Sequence, residues 1–247
     1  MTIFAGTAQS EPLPSADATF SQPSMDLVQL GQLLFYDPIL SGNKTVSCAT
    51  CHHPRFGISD GVSLGIGDGG IGLGPDRRTD PQNPPEQRIP RNSPALFNLG
   101  ASEFSVLFHD GRLESDPSEH NGFRTPFGAD METGFDSLLS AQTMFPVLSP
   151  DEMAGHYSEN DVAQAVRQGF FTGSNGAWDI LAKRVEAIPE YNVKFERGMH
   201  PNRDLHFADI SNAIAAFIAF EWRADKSLFD KYLQGSASLT KKQTKGL

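Results

Sequence analysis

The sequence predicts a mainly α-helical fold with long irregular loops. Apolar residues recur at helical spacing in several stretches, the first of which contains Leu27, Leu30, Leu33 and Leu34 after a candidate N-cap at Ser24. Alternating patterns typical of strands are scarce. The 247 residues include 23 glycines and 17 prolines, so a large part of the chain is expected to be loop. The length allows either one large domain or two small ones.

Three regions are expected along the chain. Residues 1–23 are rich in Ser, Pro, Ala and Thr and are predicted to be a flexible N-terminal tail. Residues 24–235 are predicted to form the main domain, and residues 236–247 are expected to be a linker. After the first helix, helical periodicity returns in residues 137–145, 159–170, 175–188, 209–220 and 226–233.

Residues 57–94 contain many glycines and prolines and show little periodicity. A long segment of this kind in a compact domain is usually functional or covers a ligand. Within it, residues 65–74 superficially resemble a phosphate-binding loop. We reject that interpretation because no strand pattern precedes the segment and no amphipathic helix pattern follows it.

Charge and hydropathy argue against two classes of partner. Lys and Arg number 20 against 30 Asp and Glu, a net charge of −10, which argues against binding to a nucleic acid backbone. No run approaches the roughly 18 apolar residues of a membrane-spanning helix. The longest apolar stretch, residues 213–220, is expected to lie in a core helix. The two cysteines are too few for disulfides to organise the fold.

Both cysteines fall in one motif, Cys48-Ala49-Thr50-Cys51-His52. This is the spacing at which two thiols bond to the vinyl groups of a haem and the next residue ligates the iron. On one helical turn the three side chains share a face, so all of them can reach one porphyrin. The alternatives are a thioredoxin-like redox pair, which needs a βαβ setting, and half of a zinc site, which needs two further ligands. The motif predicts one covalent haem c in a cytochrome c-like domain.

Haem attached in this way is normally made outside the cytosol, so the periplasm is the expected location. The first basic residue of the chain is Lys44, and residues 1–10 therefore lack the positively charged region of a secretory signal. The signal is expected to have been removed.

Further segments accompany the haem motif. They are Leu30-Gly31-Gln32-Leu33-Leu34-Phe35-Tyr36-Asp37-Pro38, Leu40-Ser41-Gly42, Val46-Ser47-Cys48, Arg91-Asn92-Ser93-Pro94, Phe108-His109-Asp110-Gly111-Arg112, Ser149-Pro150-Asp151-Glu152-Met153, Ala213-Ile214-Ala215-Ala216-Phe217, Phe229-Asp230-Lys231-Tyr232-Leu233 and Leu239-Thr240-Lys241-Lys242-Gln243. Together, over residues 27–247, they resemble the bacterial di-haem cytochrome c peroxidase family, which includes MauG-like relatives that modify proteins.

The resemblance implies roles for three residues. His52 is the expected proximal ligand of the haem iron. Glu152 is the expected catalytic group that moves a proton between the two oxygens of peroxide, and Gln142 is expected to orient the peroxide. Taken alone, the residues around Glu152 also fit a helix capping box with Ser149 as N-cap and Pro150 at N1. The two interpretations can coexist.

Three more residues are assigned by the resemblance. Asn92 matches a family position that contributes an oxygen to a calcium ion, whose chemistry suits an amide oxygen. Arg112 is expected to pair with a haem propionate or a carboxylate. His109 stands where many relatives have a tryptophan between two haems, and it is either part of an electron path or an ordinary packed histidine.

One departure from the family bears on the iron. Many members carry a displaceable histidine ligand after the haem motif, whereas this chain has no histidine between His53 and His109. The iron site is therefore expected to stay open unless His120, His156 or His200 approaches it.

Three functions compete. The leading hypothesis is reduction of hydrogen peroxide to water, with electrons that a small cytochrome c or copper protein supplies through a second haem. That haem is expected in a second haem domain, of which residues 236–247 form the linker and the start, or in a companion fragment. The alternatives are MauG-like oxidation of a residue in a partner protein and simple electron transfer by a single haem. A homodimer stays open as an assembly.

Overall fold

The computed structural model describes residues 20–119, 121–156, 159–198 and 203–247. The chain divides into two units. One is Phe20–Arg223, and the other includes Ala224–Leu247. All the residues predicted to form the site and placed by the structure belong to the first unit. Most of the predicted N-terminal tail, residues 1–19, lies outside the described residues.

The prediction of a mainly α-helical fold is confirmed. Seven helices are described in the first unit and two in the second. They are α1 (Met25–Tyr36), α2 (Cys48–Cys51), α3 (Leu138–Gln142), α4 (Asp161–Arg167), α5 (Ala177–Glu186), α6 (Pro189–Gly198) and α7 (Phe207–Glu221), followed in the second unit by α8 (Leu228–Leu233) and α9 (Lys241–Gly246). Ser24 caps α1 as predicted, since its side chain accepts a hydrogen bond of 3.3 Å from the Leu27 amide.

The sequence analysis missed helix α6. Its apolar residues Tyr191 and Phe195 are buried and lie four positions apart, which places them on one face of the helix. Pro189 begins the helix, a position that suits a residue without an amide hydrogen. A proline directly after a helical pattern is a stop signal, and here it is also the start of the next helix.

The five strands are short and lie within the loops. They are β1 (Gly70–Ile71), β2 (Arg78–Thr79), β3 (Val106–Leu107), β4 (Leu113–Ser115) and β5 (Phe123–Arg124). β1 and β2 pair antiparallel, with Gly70 opposite Thr79. β3, β4 and β5 form a second antiparallel sheet in sequence order. The first sheet closes a loop, and β4 of the second sheet also contributes the fully buried Leu113 to the core.

The core of the first unit is the contact between α1 and α7. All the residues from Phe207 to Ala219 on α7 are buried. Phe35 of α1 packs against the rings of Phe217 and Trp222 at centroid distances of 5.4 and 5.0 Å. Such aromatic clusters bury a large apolar area and contribute strongly to stability.

Polar side chains tie α3 to α7. The Asn212 side chain of α7 accepts hydrogen bonds from the Asp136 amide, at 2.9 Å, and from the Ser140 hydroxyl. The Thr143 hydroxyl donates to the Ser211 hydroxyl at 2.7 Å. Because these partners are buried or half-buried, α3 and the residue at its end, Gln142, are fixed relative to the core.

No helix in the described part of the chain is long and apolar enough to cross a membrane.

Substituting Gly31 with alanine is expected to destabilise the first unit. A Cβ at this position of α1 would overlap the Ala213 carbonyl oxygen and lie 2.9 Å from the Phe217 Cβ. The obstacle is backbone, so the helices must separate, and the loss exceeds the gain of about 1 kcal/mol in helix propensity. We expect Gly31→Ala to lower the free energy of unfolding by about 1–3 kcal/mol in denaturant titrations. Gln32→Ala, at the exposed neighbouring position, should change it by less than about 0.5 kcal/mol.

Candidate active site

The haem motif forms a single short helix, α2. The Ser47 amide donates a 3.0 Å hydrogen bond to the Thr50 hydroxyl, which closes the start of the helix. Ala49 and Thr50 are buried against the core. Both cysteines are free thiols and half-buried, one helical turn apart. The arrangement suits two thioether bonds to one porphyrin.

The environment of the two thiols favours their uncharged form. Burial raises the pKa of Cys48 and of Cys51 to about 12. A zinc-binding or redox-active cysteine needs an accessible thiolate, which a raised pKa disfavours. No group of three or more metal-ligating side chains occurs among the residues that the structure describes. Neutral thioethers therefore fit this site better than zinc ligands or a redox pair.

Hydrogen-bonding neighbours hold the His52 ring in place. Its Nδ1 atom lies 3.3 Å from the Ile58 carbonyl oxygen. When Nδ1 donates this hydrogen bond, the lone pair on Nε2 is left for a metal. The Ser93 hydroxyl also lies near the ring, at 3.1 Å from Nδ1 and 3.3 Å from Nε2. Burial lowers the pKa of His52, which favours the neutral imidazole that binds iron.

The carbonyl that faces His52 comes from a strained residue. Ile58 is β-branched, buried and in the left-handed region, with φ of 59°. Such a conformation is a genuine outlier for this residue type. Hydrogen bonds over-determine it, since the Ile58 amide donates to the His53 carbonyl at 3.1 Å. The strain is the cost of aiming a carbonyl at the imidazole.

Glu152 lies in a five-residue π-helical turn, Pro150–Ala154. Ser149 is the N-cap and Pro150 the first residue, as predicted, but the predicted capping box is wrong because the Ser149 side chain caps no amide. The Ser149 carbonyl instead accepts from three amides, those of Glu152, Met153 and Ala154, at 3.2, 3.0 and 2.9 Å. The Ser149 hydroxyl hydrogen bonds with the Glu152 carboxyl.

The carboxyl of Glu152 is half-buried and close to the haem motif. Burial raises its pKa, and the negative charge of Asp151 adds to the rise. The Ser149 hydrogen bond and the positive charge of Arg112 oppose it. Glu152 is near enough to Cys51 for its charge to raise the pKa of that thiol. The charge of Arg112 thus acts on the Glu152 carboxyl, and the charge of Glu152 acts on the Cys51 thiol.

Arg112 has an exposed side chain and a carboxylate partner of its own. Its Nε atom donates to Asp110 at 3.1 Å, and its guanidinium lies 4.5 Å from the centroid of the Phe108 ring. His109, between these residues, is exposed. Arg112 can therefore place positive charge near Glu152 while one of its donors is occupied.

Gln142 and Asn92 differ in setting. Gln142 is half-buried at the end of α3, and its side chain makes no hydrogen bond to any described residue. Its amide is available to a ligand. Asn92 is exposed, and its side-chain nitrogen donates to the Ser93 carbonyl at 3.2 Å.

Of the three histidines named above as possible ligands, only His156 is described. Its side chain is 11% exposed and lies between Asp151, at 3.5 Å, and Glu86, at 3.8 Å. His120 and His200 lie outside the described residues.

Sequence reasoning missed the contribution of Arg77. Its guanidinium donates to the carbonyls of Ile66, Gly67 and Gly72 at 2.6, 2.6 and 2.8 Å. These carbonyls belong to residues 65–77, which we call the glycine loop. The only signal was the density of glycines, and the arginine at its end carries no motif.

Comparison with known proteins gives one family. The sequence matches the family described as di-haem cytochrome c peroxidase over residues 25–238. A cytochrome-c peroxidase of Denitromonas iodatirespirans, IdrP2, is 37% identical over 56% of this chain and 29% of its own length. The methylamine utilization protein MauG of Paracoccus denitrificans is 28% identical over 96% of this chain and 49% of its own length.

A solved structure shares the fold. It is a MauG-like protein associated with microbial copper homeostasis, with a TM-score of 0.54, 23% identity and coverage of 98% of this chain and 53% of that one. The chain spans about half the length or less of the relatives that it matches.

The attachment of haem through both cysteines can be tested directly. After reduction and denaturation, the haem-loaded protein should keep its haem absorbance through extraction with acid acetone. The Cys48→Ala/Cys51→Ala variant should release all its colour into the solvent, because neither thioether can form. His53→Gln, which changes only the residue after the motif, should retain its haem. Extraction of the colour from the unsubstituted protein would contradict the assignment.

Proposed function

Since the chain belongs to the di-haem cytochrome c peroxidase family, we propose that it reduces hydrogen peroxide to water at a haem held by Cys48, Cys51 and His52. Membership of this family implies a covalently bound haem c. The free thiols and the orientation of His52 suit that cofactor. We propose the peroxide activity, and with it the substrates and the partners.

One observation carries the proposal, namely that the half-buried Glu152 lies on a turn tied through Asp68 to Thr45, just before the haem motif. A carboxyl that serves only to cap a helix is solvated and bonds to backbone amides. Here the amides of the turn are taken by the Ser149 carbonyl, and the carboxyl bonds to the Ser149 hydroxyl instead of capping the turn. Its charge acts on the haem-binding thiol of Cys51, which supports a role for it at the haem.

The chain's residues then have distinct tasks. When bound, the haem supplies the oxygen-binding iron and the electrons. Glu152 accepts the proton of the inner peroxide oxygen and returns it to the outer oxygen as the O–O bond breaks. One water thus leaves with both peroxide protons. The second oxygen leaves as water after it takes up two electrons and two protons, so one peroxide consumes two of each.

Two further residues are assigned to assist Glu152. The Gln142 amide is free to hydrogen bond with peroxide and fix its orientation, because the core anchors α3. The positive charge of Arg112 favours the ionised carboxylate that acts as base. Arg112 is also exposed enough to meet a haem propionate.

The electrons are proposed to come from a small cytochrome c or copper protein through a second haem, with the exposed His109 on their path. The net charge of −10 would attract a basic donor and raise the rate of encounter. The periplasm is the proposed location, because haem c is assembled there. Asn92 remains a proposed calcium ligand, and a homodimer a proposed assembly.

Replacing Glu152 should stop peroxide turnover and spare the haem. Glu152→Gln keeps the shape of the side chain but removes the base, so we expect turnover to fall by about 10²–10⁴-fold. The ferric absorption spectrum should be nearly unchanged. Glu103→Gln, which neutralises an exposed carboxylate, serves as the control and should retain full turnover.

The pH dependence gives a second readout of the same assignment. A base must be ionised, so the rate falls as the pH drops through its pKa. Because burial raises the pKa of Glu152, the acid limb of the rate profile should lie above the usual value of about 4.3. Glu152→Gln should lack this limb. Normal turnover in Glu152→Gln would refute the assignment.

A second candidate function is peroxide-dependent oxidation of a residue in a partner protein. Two observations favour it, the relative named MauG and the lack of a histidine between His53 and His109. Without a displaceable ligand, the iron would need no reductive activation to meet peroxide.

Oxidation of a reduced donor separates the candidates. With peroxide and either a reduced small cytochrome c or a reduced copper protein, a peroxidase should oxidise the donor rapidly in repeated turnovers. We expect this result and a high-spin ferric spectrum. Fast reaction with peroxide but no donor oxidation would favour the MauG-like function. A low-spin spectrum with no peroxide reaction would leave simple electron transfer.

A further inference from the structure

The first part of the glycine loop is buried although it forms no helix or strand. Residues 65–69 are all buried, and a buried loop must satisfy its backbone polar groups without water. The loop lies directly on the turn that carries Glu152. The Asp68 amide donates a 2.9 Å hydrogen bond to the Glu152 carbonyl.

Because residue 67 is a glycine, the backbone of the glycine loop lies in direct contact with the backbone of the Glu152 turn. A Cβ on Gly67 would overlap the carbonyl oxygens of Asp151 and Glu152 and lie 2.6 Å from the Glu152 Cα. Only glycine fits where one backbone presses on another. A shift of the loop therefore shifts Glu152 or opens a gap beside it.

Arg77 holds the glycine loop together through side-chain hydrogen bonds. Each of its three hydrogen bonds within the described residues goes to a backbone carbonyl of the loop, and one of these is the carbonyl of Gly67 itself. The planar guanidinium presents donors in a fixed fork, which suits three carbonyls around it. Gly70 makes room, since a Cβ there would lie 2.6 Å from the Arg77 Nε.

The remaining side of the loop is held by the chain that leads to the haem motif. The Asp68 carboxylate accepts hydrogen bonds from Asn43, at 3.0 and 3.2 Å, and from Thr45, at 3.2 Å. Three residues after Thr45 comes Cys48. The glycine loop therefore lies between the segment that leads to the haem motif and the Glu152 turn, and it is hydrogen bonded to both.

We propose that Arg77 is a positioning residue, which clasps the glycine loop and through Gly67 and Asp68 holds Glu152 at the haem. The inference rests on the proposed function, since it assumes that Glu152 moves the peroxide proton. Without Arg77, the carbonyls of Ile66 and Gly67 lose their charged donor while buried, and the loop relaxes to satisfy them. A displacement of about 1 Å at a catalytic group can cost about 10²-fold in rate.

The test compares rate constants for the reaction of the haem-loaded full chain with hydrogen peroxide. Arg77→Gln should lower the rate about 10²-fold and leave the ferric spectrum unchanged. Arg77→Lys keeps the charge but not the planar fork, so it should recover only part of the loss. Arg88→Gln is the matched control, because Arg88 donates to the Leu64 carbonyl just before the loop but is exposed. It should react at the unsubstituted rate.

A double-mutant cycle separates positioning from general damage. In the Glu152→Gln background, Arg77→Gln should cause no further loss, because it acts through the group already removed. A further 10²-fold loss there would overturn the inference, as would an unsubstituted rate in Arg77→Gln alone. If Glu152→Gln itself reacts at the unsubstituted rate, the proposed function fails first, and the cycle shows which of the two is wrong.

Two measurements keep the inference falsifiable if Arg77→Gln does not fold. Gly70→Ala displaces the guanidinium without removing it and should give the same rate loss. Hydrogen exchange at the Asp68 amide, whose acceptor is the Glu152 carbonyl, should be faster in Gly70→Ala and unchanged in Arg88→Gln. Unchanged exchange and rate in Gly70→Ala would overturn the inference.

Discussion

Close approach of backbone to backbone at glycine is the constraint on which this structure depends. Gly31 lets α1 lie against the Ala213 carbonyl of α7. Gly42 presses on the Ala154 carbonyl, and its amide donates to the Met153 carbonyl at 2.7 Å. Gly67 presses on Glu152. The first contact sets the core, and the other two fix the Glu152 turn to the segments on either side of the haem motif. Because backbone contacts have no rotamer freedom, they hold distances more tightly than side chains of similar size.

In the candidate site, burial and a nearby positive charge shift the pKa of Glu152 in opposite directions. Burial favours the neutral forms of Glu152, Cys51 and His52 alike. Neutral sulfur and imidazole are what haem attachment needs, whereas a carboxyl acting as base must ionise. Arg112 opposes the effect of burial at Glu152, as Arg77 does at Cys51. A buried acid with one nearby cation can exchange a proton in both directions, and a fully ionised or fully neutral carboxyl cannot.

Features that depend on neighbouring residues could be predicted from the sequence, whereas the hydrogen bonds that hold the irregular loop could not. The haem motif, the cap at Ser24 and the helical periodicities depend on residues within a few positions of each other. The capping box at Ser149 failed because the turn took a π form, in which the Ser149 carbonyl collects three amides. Arg77 was missed because its partners lie 5 to 11 residues away in an irregular loop, where spacing carries no information.

Between His53 and His109, many members of the family have a histidine side chain that ligates the iron. In this chain, the same segment instead contacts its neighbours largely through backbone groups. It contains no histidine, methionine, lysine or cysteine, so it offers the iron no strong sixth ligand. Its buried part, residues 65–69, instead contributes carbonyls, amides and one carboxylate to neighbouring segments. A loop that supports the acid and supplies no ligand is consistent with an iron position open to peroxide. The same arrangement serves a peroxidase and a MauG-like oxidase, since both begin with peroxide at that position.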